Sequence, residues 1–261
     1  MEIIKSVKNE FVKQMTDLAA CVERKAVGAV PLYGLNAIEW AYNAGWSIEY
    51  ILISESAVKS VYNNEFLSRF KKYYISDYLN KKITGVSHII DVCGFAKNKN
   101  NSDIFTDKKP VVILDRVLDH GNIGTIVRTM RAFGFDKLIM TNYGTDMDIY
   151  YKNIVGASRG EVFNVHFANI SFDKLMIDIE KNKYKIISTK ALCDYDINDM
   201  GIKYKLPELY MVVFGNEEHG ISEQLLTHAD FSVGCTLHNN IDSLNVGVAA
   251  GIILNKFRSP N

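Results

Sequence analysis

LDHGNIGTIVRTMRAFGF, residues 118–135, joins the end of a strand to a helix. An apolar run that stops near Asp115 precedes this segment, and Gly121 and Gly124 allow the chain to turn tightly. We expect the helix to open with Asn122, because apolar side chains then recur at helical spacing. The apolar face consists of Ile126, Val127, Met130 and Phe133. The segment therefore predicts a strand–turn–helix unit of an α/β protein.

The same alternation continues from Pro110 to the end of the chain. Short apolar segments that predict strands are VVILD (111–115), LIMT (138–141), VFNVHF (162–167), KIIST (185–189), MVVFG (211–215) and FSVGC (231–235). Strands of this kind, separated by helices, indicate a parallel sheet that is covered on both faces. Ligands of such sheets collect at the carboxyl ends of the strands, so polar residues there are candidates for a site.

The stretch AKNKNNSDIFTDKKP, residues 96–110, has the composition of a linker, rich in Asn and Lys and closed by a proline. It predicts a boundary between a domain of residues 1–105 and a domain of residues 106–261. In the first domain, apolar residues at helical spacing follow a cap at Asn9. A second helix runs from about Leu35 to Gly45 and precedes the strand-like segment YILIS. The first domain is thus expected to be a small α/β unit.

The composition excludes several classes of protein. The 261 residues are 48% hydrophobic and carry a net charge of zero, so any RNA contact must come from local patches. The longest apolar run, residues 246–254, is shorter than the roughly 20 residues of a membrane span, and the first residues lack the apolar core of a signal peptide. We therefore expect a cytoplasmic protein. The four cysteines and six histidines lack metal-ligand spacing, so neither zinc nor disulfides are expected.

Two further polar segments follow the later strands. In VVFGNEEHGIS, residues 212–222, a turn at Gly215 exposes backbone groups to the cleft. In DSLNVGVAAGI, residues 242–252, Asp242 or Ser243 can cap an apolar helix, and Asn245 within its first turn needs a polar partner. Taken alone, the first segment is better explained by a solvated loop, and the second can be a core helix with a good cap.

Together the motifs are more specific. The patterns N-x-G-x-x-x-R (Asn122, Gly124, Arg128), G-N-E (residues 215–217) and S-L-N-V (residues 243–246), in this order, closely resemble the SpoU/TrmH family of 2'-O-ribose RNA methyltransferases in the SPOUT superfamily. The segment GASRGEVFNV, residues 156–165, is similar to the part of the family that follows its first motif. Residues 1–99 resemble, more faintly, the ribosomal-protein-like RNA-binding domain that precedes the catalytic domain in many members.

The resemblance implies an α/β protein whose C-terminal parallel-sheet methyltransferase domain is closed by a trefoil knot, preceded by a small α/β RNA-binding domain. It also implies a homodimer, with the apolar helix of residues 243–257 in the contact, and S-adenosylmethionine as the methyl donor. The residues that would surround this cofactor are Thr189, Phe214, Gly215, Asn216, Cys235, Thr236, Leu237 and Leu244. The front domain favours ribosomal RNA over transfer RNA as the substrate, with transfer RNA as the alternative.

The sequence departs from the family pattern at four places. His120 stands where the pattern often has proline, and the segment CTL (residues 235–237) stands where it often has Ile-Pro-Met. Glu218 stands where the pattern often has glycine, and Gly247 stands where it often has serine. None of these changes removes a motif residue, but they alter the loop around the cofactor.

The chemistry points to Arg128. A ribose hydroxyl is a poor nucleophile, and a guanidinium can clamp the neighbouring phosphate while it stabilises the emerging alkoxide. The side chains that would orient Arg128 and the ribose are those of Asn122, Glu217, Ser243 and Asn245. Arg159 is a second candidate for the anionic site. Arg24 and Lys25 are candidate phosphate contacts because they end an amphipathic helix beside a glycine-containing turn, although a solvated helix end explains them equally well.

Two other functions remain open at this point. A catalytically silent RNA-binding protein is one, and the intact motif residues argue against it. A nucleotide-dependent α/β enzyme is the other, and the absence of G-x-G-x-x-G and of a phosphate-binding P-loop pattern argues against it.

Overall fold

The computed structural model describes residues 2–9, 12–13, 16–17, 29–97, 104–141, 147–200 and 204–258. The chain divides into two compact units, Met1–Lys99 and Asn100–Asn261. This division lies a few residues before the expected boundary at 105/106, because Ile104 and Phe105 are buried in the core of the second unit.

The first unit is built on a five-stranded sheet in the order β1-β4-β3-β5-β2. The strands are β1 (Ile3–Ile4), β2 (Ala29–Tyr33), β3 (Ser47–Ser54), β4 (Lys71–Ile75) and β5 (Val92–Lys97). Three helices of this unit have both ends within the described residues, namely α1 (Leu35–Asn43), α2 (Val58–Val61) and α3 (Asp77–Thr84). β5 runs antiparallel to both of its neighbours, whereas β1, β3 and β4 are parallel. The expected small α/β unit is therefore present.

Local sequence explains most of this unit. α1 ends where Ala44 and Gly45 close the helix, and Gly45 takes a φ of 78° that favours glycine. Asn9 accepts a hydrogen bond from the N–H of Val12, as expected of a cap. The buried Asn80 amide bonds both the Ser54 hydroxyl and the carbonyl of Ile90, so the polar group in this core is satisfied.

The second unit is built on a seven-stranded sheet in the order β10-β12-β9-β11-β6-β7-β8, and every pair in it is parallel. The strands are β6 (Val111–Asp115), β7 (Lys137–Thr141), β8 (His166–Asn169), β9 (Lys185–Thr189), β10 (Tyr195–Asp196), β11 (Tyr210–Gly215) and β12 (Phe231–Gly234). All residues of β6 and β7 are buried, as expected for strands with helices on both faces.

The helices of this unit are α4 (His120–Ala132), α5 (Lys152–Ala157), α6 (Phe172–Asn182), α7 (Glu223–Thr227) and α8 (Val246–Phe257). β11 inserts between β6 and β9, and β12 inserts between β9 and β10. Strands that come late in the sequence thus lie between strands that come earlier in it. The trefoil knot stays a prediction.

Three expectations for this unit need correction. α4 opens at His120 and not at Asn122, because Asp119 is the cap and its side chain accepts a hydrogen bond from the Asn122 N–H at 2.7 Å. The segment VFNVHF does not form one strand: a left-handed Gly160 turns the chain into a 3-10 helix over Glu161–Asn164 before β8 begins. The cap of α8 is Asn245 itself, and not Asp242 or Ser243.

No helix in the described part of the chain is long and apolar enough to cross a membrane. Within the same residues, no cluster of His, Cys, Asp and Glu could hold a metal ion.

Candidate cofactor and RNA site

Three neighbouring strands of the second unit, β12, β9 and β11, end at the same edge of the sheet, at Gly234, Thr189 and Gly215. A cavity of about 380 Å³ opens beyond these ends. This volume falls in the range of small-molecule sites, and the place is where parallel sheets bind their ligands.

Seven of the eight predicted cofactor residues line this cavity, namely Thr189, Phe214, Gly215, Asn216, Cys235, Leu237 and Leu244. Glu217 and Ser243, which were expected to act on the RNA, also line it. Thr236 does not: both its N–H and its hydroxyl donate to Asp196, at 2.9 and 2.6 Å. Asp196 thus occupies both donors of Thr236, and the contact expected between Thr236 and the cofactor stays a prediction.

The sequence did not point to several lining residues. These are Lys190, Ala191, Glu218, His219, Gly220, Ile221, Leu226, Gly234, Asp242, Val246, Ala249 and Ile253. Lys190 and Ala191 follow directly after the KIIST strand, so the position at a strand's carboxyl end was the available signal.

Gly215 is required by the loop that follows β11. A Cβ atom at this position would lie 2.3 Å from both the Gly220 carbonyl carbon and the Ile221 nitrogen. These atoms are so close because Asn216 and Gly220 form a two-way backbone hydrogen bond, at 3.0 and 2.9 Å. The G-N-E motif is thus a tight loop that only a residue without a side chain can begin.

Asn216 and Asp115 hold that loop in shape. The Asn216 amide donates to the Arg116 carbonyl at 2.9 Å, and its oxygen accepts from the N–H groups of Glu218 and His219. The fully buried Asp115 carboxylate accepts from the Ser222 N–H at 2.6 Å. Sequence reasoning treated Asp115 as the end of a strand, although a carboxylate that closes an apolar run is itself a signal of a buried polar contact.

The three motifs meet in one chain of hydrogen bonds. The Asn122 amide donates to Glu217 Oε1 at 2.7 Å, and its oxygen accepts from the Asn245 amide at 3.1 Å. The Asn245 oxygen in turn accepts from the N–H groups of Gly247 and Val248, which caps α8. Asn245 therefore has the polar partner that the sequence required. The chain links α4, the loop after β11 and the start of α8.

Arg128 does not join this chain. Its side chain is exposed and forms no hydrogen bond or ion pair with any residue that the structure describes. Among the described residues Arg128 makes no hydrogen bond with Asn122, Glu217, Ser243 or Asn245, and their role in orienting Arg128 and the ribose stays a prediction. Helical geometry explains the separation, since six residues at about 100° each place Arg128 roughly 120° around α4 from Asn122. Arg128 instead offers a free guanidinium on the neighbouring face of the helix.

The remaining basic candidates lie elsewhere. Arg159 follows α5 in a left-handed turn with a φ of 49°, and its side chain is exposed. α5 packs tightly on α4, because a Cβ at Gly124 would lie 2.5 Å from that of Ala157. Arg24 and Lys25 lie outside the residues that the structure describes.

The thiols near the cavity are not reactive groups. Burial raises the pKa of Cys235, and Asp196 and Cys193 raise it further. The pKa of Cys193 is raised in the same way, by burial first and then by Asp196. Both thiols are thus protonated at neutral pH, and Cys235 serves as an apolar part of the cavity wall.

The charges and backbone of the cavity define the kind of ligand that fits. Glu217, Glu218 and Asp242 bring three carboxylates to the lining, against one lysine, Lys190. This excess favours a cationic ligand over a nucleotide with several phosphates. The N–H groups of Leu237 and Leu244 form no hydrogen bond within the described part of the chain, so they are available to a ligand. A small cationic molecule with polar edges suits this lining.

The comparisons with known proteins agree with this geometry. The sequence profile described as the SpoU rRNA Methylase family matches residues 109–255. The chain is 25% identical over 265 residues to the 23S rRNA (guanosine(2553)-2'-O)-methyltransferase RlmP of Bacillus subtilis (strain 168), covering 99% of this chain and 100% of that protein. It is 30% identical over 154 residues to the 23S rRNA (adenosine(1067)-2'-O)-methyltransferase of Streptomyces azureus, covering 59% of this chain and 56% of that protein.

Solved structures show the same fold. An AdoMet-bound rRNA methyltransferase from Sinorhizobium meliloti superposes with a TM-score of 0.77 at 24% identity, covering 98% of this chain and 97% of that one. The SpoU methyltransferase AviRb from Streptomyces viridochromogenes, in complex with AdoMet, superposes with a TM-score of 0.76 at 22% identity, covering 95% and 97%. At these identities the likeness establishes the fold, and the expected α/β methyltransferase architecture with a parallel sheet is confirmed.

Proposed function

Because the chain belongs to the SpoU rRNA methylase family, we propose that it transfers the methyl group of S-adenosylmethionine to a ribose 2'-hydroxyl of ribosomal RNA. The observation that carries this proposal is the Glu217–Asn122–Asn245 chain of hydrogen bonds, which unites three motifs beside the cavity. The ribosomal substrate is supported by the two relatives above, each of which is named for a 2'-hydroxyl of 23S rRNA. Transfer RNA is the less favoured substrate.

The cavity fits S-adenosylmethionine by size, charge and polarity. Bound there, the cofactor supplies a methyl group on a positively charged sulfonium sulfur. The lining carboxylates of Glu217, Glu218 and Asp242 compensate that charge. The unpartnered N–H groups of Leu237 and Leu244 can donate to its polar edges, and Phe214 supplies an apolar wall. We place the cofactor here for these reasons.

The RNA meets the polar side of this cavity. Glu217 Oε1 is held by Asn122, and Oε2 forms no hydrogen bond with a described residue, so it can accept one from a ribose hydroxyl. Ser243 lines the cavity beside it. Arg128 binds the phosphate next to the target ribose, where a guanidinium bridges two oxygens and stabilises negative charge that develops on the 2'-oxygen. Arg159 is a further phosphate contact in this proposal.

Two measurements test the function. Calorimetry with S-adenosylmethionine is expected to show binding, and mapping of 2'-O-methyl groups in RNA from cells with and without the gene is expected to show one missing site in ribosomal RNA. Absence of cofactor binding at millimolar concentration would contradict the proposal. A methyl group missing from transfer RNA alone would show that transfer RNA is the substrate. We also propose a cytoplasmic location, which bacterial relatives that modify ribosomal RNA support.

We further propose that the first unit binds RNA through Arg24 and Lys25. Replacing both with alanine is expected to weaken RNA binding and to lower the slope of log affinity against log salt by about two, because each phosphate contact releases about one counterion. The matched control is Lys81→Ala with Lys82→Ala, which removes equal charge from the exposed side of α3. Equal losses in the two double variants would contradict the assignment, as would full-rate methylation by a protein without residues 1–100.

A homodimer completes the proposal. Val248 and Ile252 lie four residues apart on α8 and are 52% and 39% exposed, an apolar stripe on a helix whose other side is buried. Val248→Asp is expected to shift the protein from dimer to monomer in sedimentation at micromolar concentration, because a carboxylate would be desolvated in the contact. Ile177→Asp, at an exposed apolar position of α6, is the control and should leave the dimer intact. A wild-type protein that sediments as a monomer would refute the proposal.

A further inference from the structure

The edge of the second sheet carries two aspartates with closely similar surroundings. Asp194 directly precedes β10, and Asp196 is the last residue of β10. β10 pairs with β12. Each carboxylate accepts hydrogen bonds from one hydroxyl residue on the neighbouring chain segment. What differs is how far that segment is from the cavity.

Asp196 holds the segment that follows β12. Its Oδ2 accepts from the Thr236 N–H at 2.9 Å and from the Thr236 hydroxyl at 2.6 Å, while Oδ1 accepts from the Asn198 N–H at 2.8 Å. Hydrogen bonds from the Thr236 hydroxyl and the Asn198 N–H lower the pKa of Asp196 to about 2. The carboxylate is therefore charged at neutral pH.

Thr236 lies between two residues of the cavity wall. Cys235 and Leu237 both line the cavity, and the Leu237 N–H has no partner among the described residues. Fixing the backbone and the side chain of Thr236 fixes the peptide groups on both sides of it. This contact depends on a residue that has an N–H and a hydroxyl, and a proline at this position would have neither.

We propose that Asp196 is a positioning residue for the cofactor: from outside the cavity, it holds the Cys235–Leu237 wall in the shape that binds S-adenosylmethionine. The inference rests on the proposed function. Asp196 does not line the cavity, so its effect passes through Thr236.

Asp194 is the matched control that the chain itself offers. Its Oδ2 accepts from the Ser232 N–H at 2.8 Å and from the Ser232 hydroxyl at 2.7 Å, and its own N–H donates to that hydroxyl at 2.9 Å. Ser232 lies inside β12 and does not line the cavity. The two aspartates thus make similar bonds to the same strand and its extension, but only the partner of Asp196 lies between two wall residues, whereas Asp194 acts on the lining residue Lys190 through its charge alone.

The experiment compares Asp196→Ala, Thr236→Val and Asp194→Ala in the full-length protein. Cofactor affinity is measured by calorimetry with S-adenosylmethionine, folding by thermal unfolding without cofactor, and RNA affinity by filter binding. Asp196→Ala is expected to weaken cofactor binding by roughly tenfold or more, since hydrogen bonds to a charged group are lost. Thr236→Val, which keeps the N–H, should give a smaller loss in the same direction. Asp194→Ala should change cofactor affinity by less than about threefold even where its thermal midpoint falls equally.

The outcomes separate the two ideas. A wild-type protein that binds no S-adenosylmethionine overturns the proposed function, and this assignment with it. If the wild-type protein binds the cofactor and both Asp196→Ala and Thr236→Val bind it with unchanged affinity, the role assigned to Asp196 is overturned and the proposed function is not. Equal losses of cofactor affinity in Asp194→Ala and Asp196→Ala also overturn it, because they show a general effect of the edge strand. If Asp196→Ala does not fold, Thr236→Val against Asp194→Ala decides.

Discussion

Replacing Arg128 with alanine is expected to lower the single-turnover rate of methyl transfer by about 10² to 10³ while cofactor affinity stays nearly unchanged. Arg128 is exposed on α4, has no partner among the described residues and does not line the cavity. Its guanidinium is thus available to RNA, and its removal leaves the cofactor wall untouched. An arginine that merely pairs with a surface carboxylate would be worth at most about 1 kcal/mol.

Two companions sharpen this test. Arg128→Lys should recover little of the rate, because an ammonium cannot bridge a phosphate oxygen and a ribose oxygen with fixed geometry. Arg131→Ala is the matched control on the same helix, since Arg131 pairs with Glu161 at 3.5 Å and is expected to affect stability more than rate. Single-turnover kinetics with saturating cofactor and RNA measure all three variants. A loss of less than about tenfold in Arg128→Ala, under 1.4 kcal/mol, would place Arg128 outside the chemistry.

Replacing Gly215 with alanine is expected to abolish measurable binding of S-adenosylmethionine and to lower the free energy of unfolding by about 1–3 kcal/mol. The new Cβ would meet backbone atoms of Gly220 and Ile221 at 2.3 Å, and backbone cannot rotate away as a side chain can. The loop of residues 216–220 would have to open. Opening it breaks the paired backbone bonds of Asn216 and Gly220 and displaces the part of the cavity wall that they form.

Gly156 provides the control for this substitution. It lies in α5, and a Cβ there would have no neighbour within 4 Å. Gly156→Ala should therefore leave cofactor binding intact and stabilise the protein by up to about 1 kcal/mol, because alanine is the better helix former. Calorimetry and urea unfolding of the two variants measure the contrast. Retained cofactor binding in Gly215→Ala would show that the loop is more pliable than the close contacts indicate.

The hydrogen-bonded chain of Glu217, Asn122 and Asn245 explains why residues so far apart in sequence form one site. Asn245 serves two purposes, since its oxygen caps α8 and its amide group binds Asn122. Asn245 thus both begins α8 and bonds α4 through Asn122.

The sequence by itself determined the architecture of the second unit and its family. Strands covered on both faces must be apolar throughout, so VVILD, KIIST and MVVFG could be recognised without any partner. The motif residues could be recognised because they occur in a fixed order at the ends of those strands. Seven of the eight residues that the family resemblance assigns to the cofactor line one cavity, since the carboxyl ends of neighbouring parallel strands meet at one edge.

Tertiary structure alone decided which polar groups pair with which. Asn245 became the cap of α8 and not Asp242 or Ser243, because its amide also reaches Asn122, which is 123 residues away in sequence. Thr236 pairs with Asp196, 40 residues away. Hydrogen bonds of this kind depend on where the fold brings two distant segments together. Periodicity and local spacing in the sequence do not predict which distant segments meet. The direction of Arg128, by contrast, follows from the geometry of a single helix, which places it about 120° around α4 from Asn122.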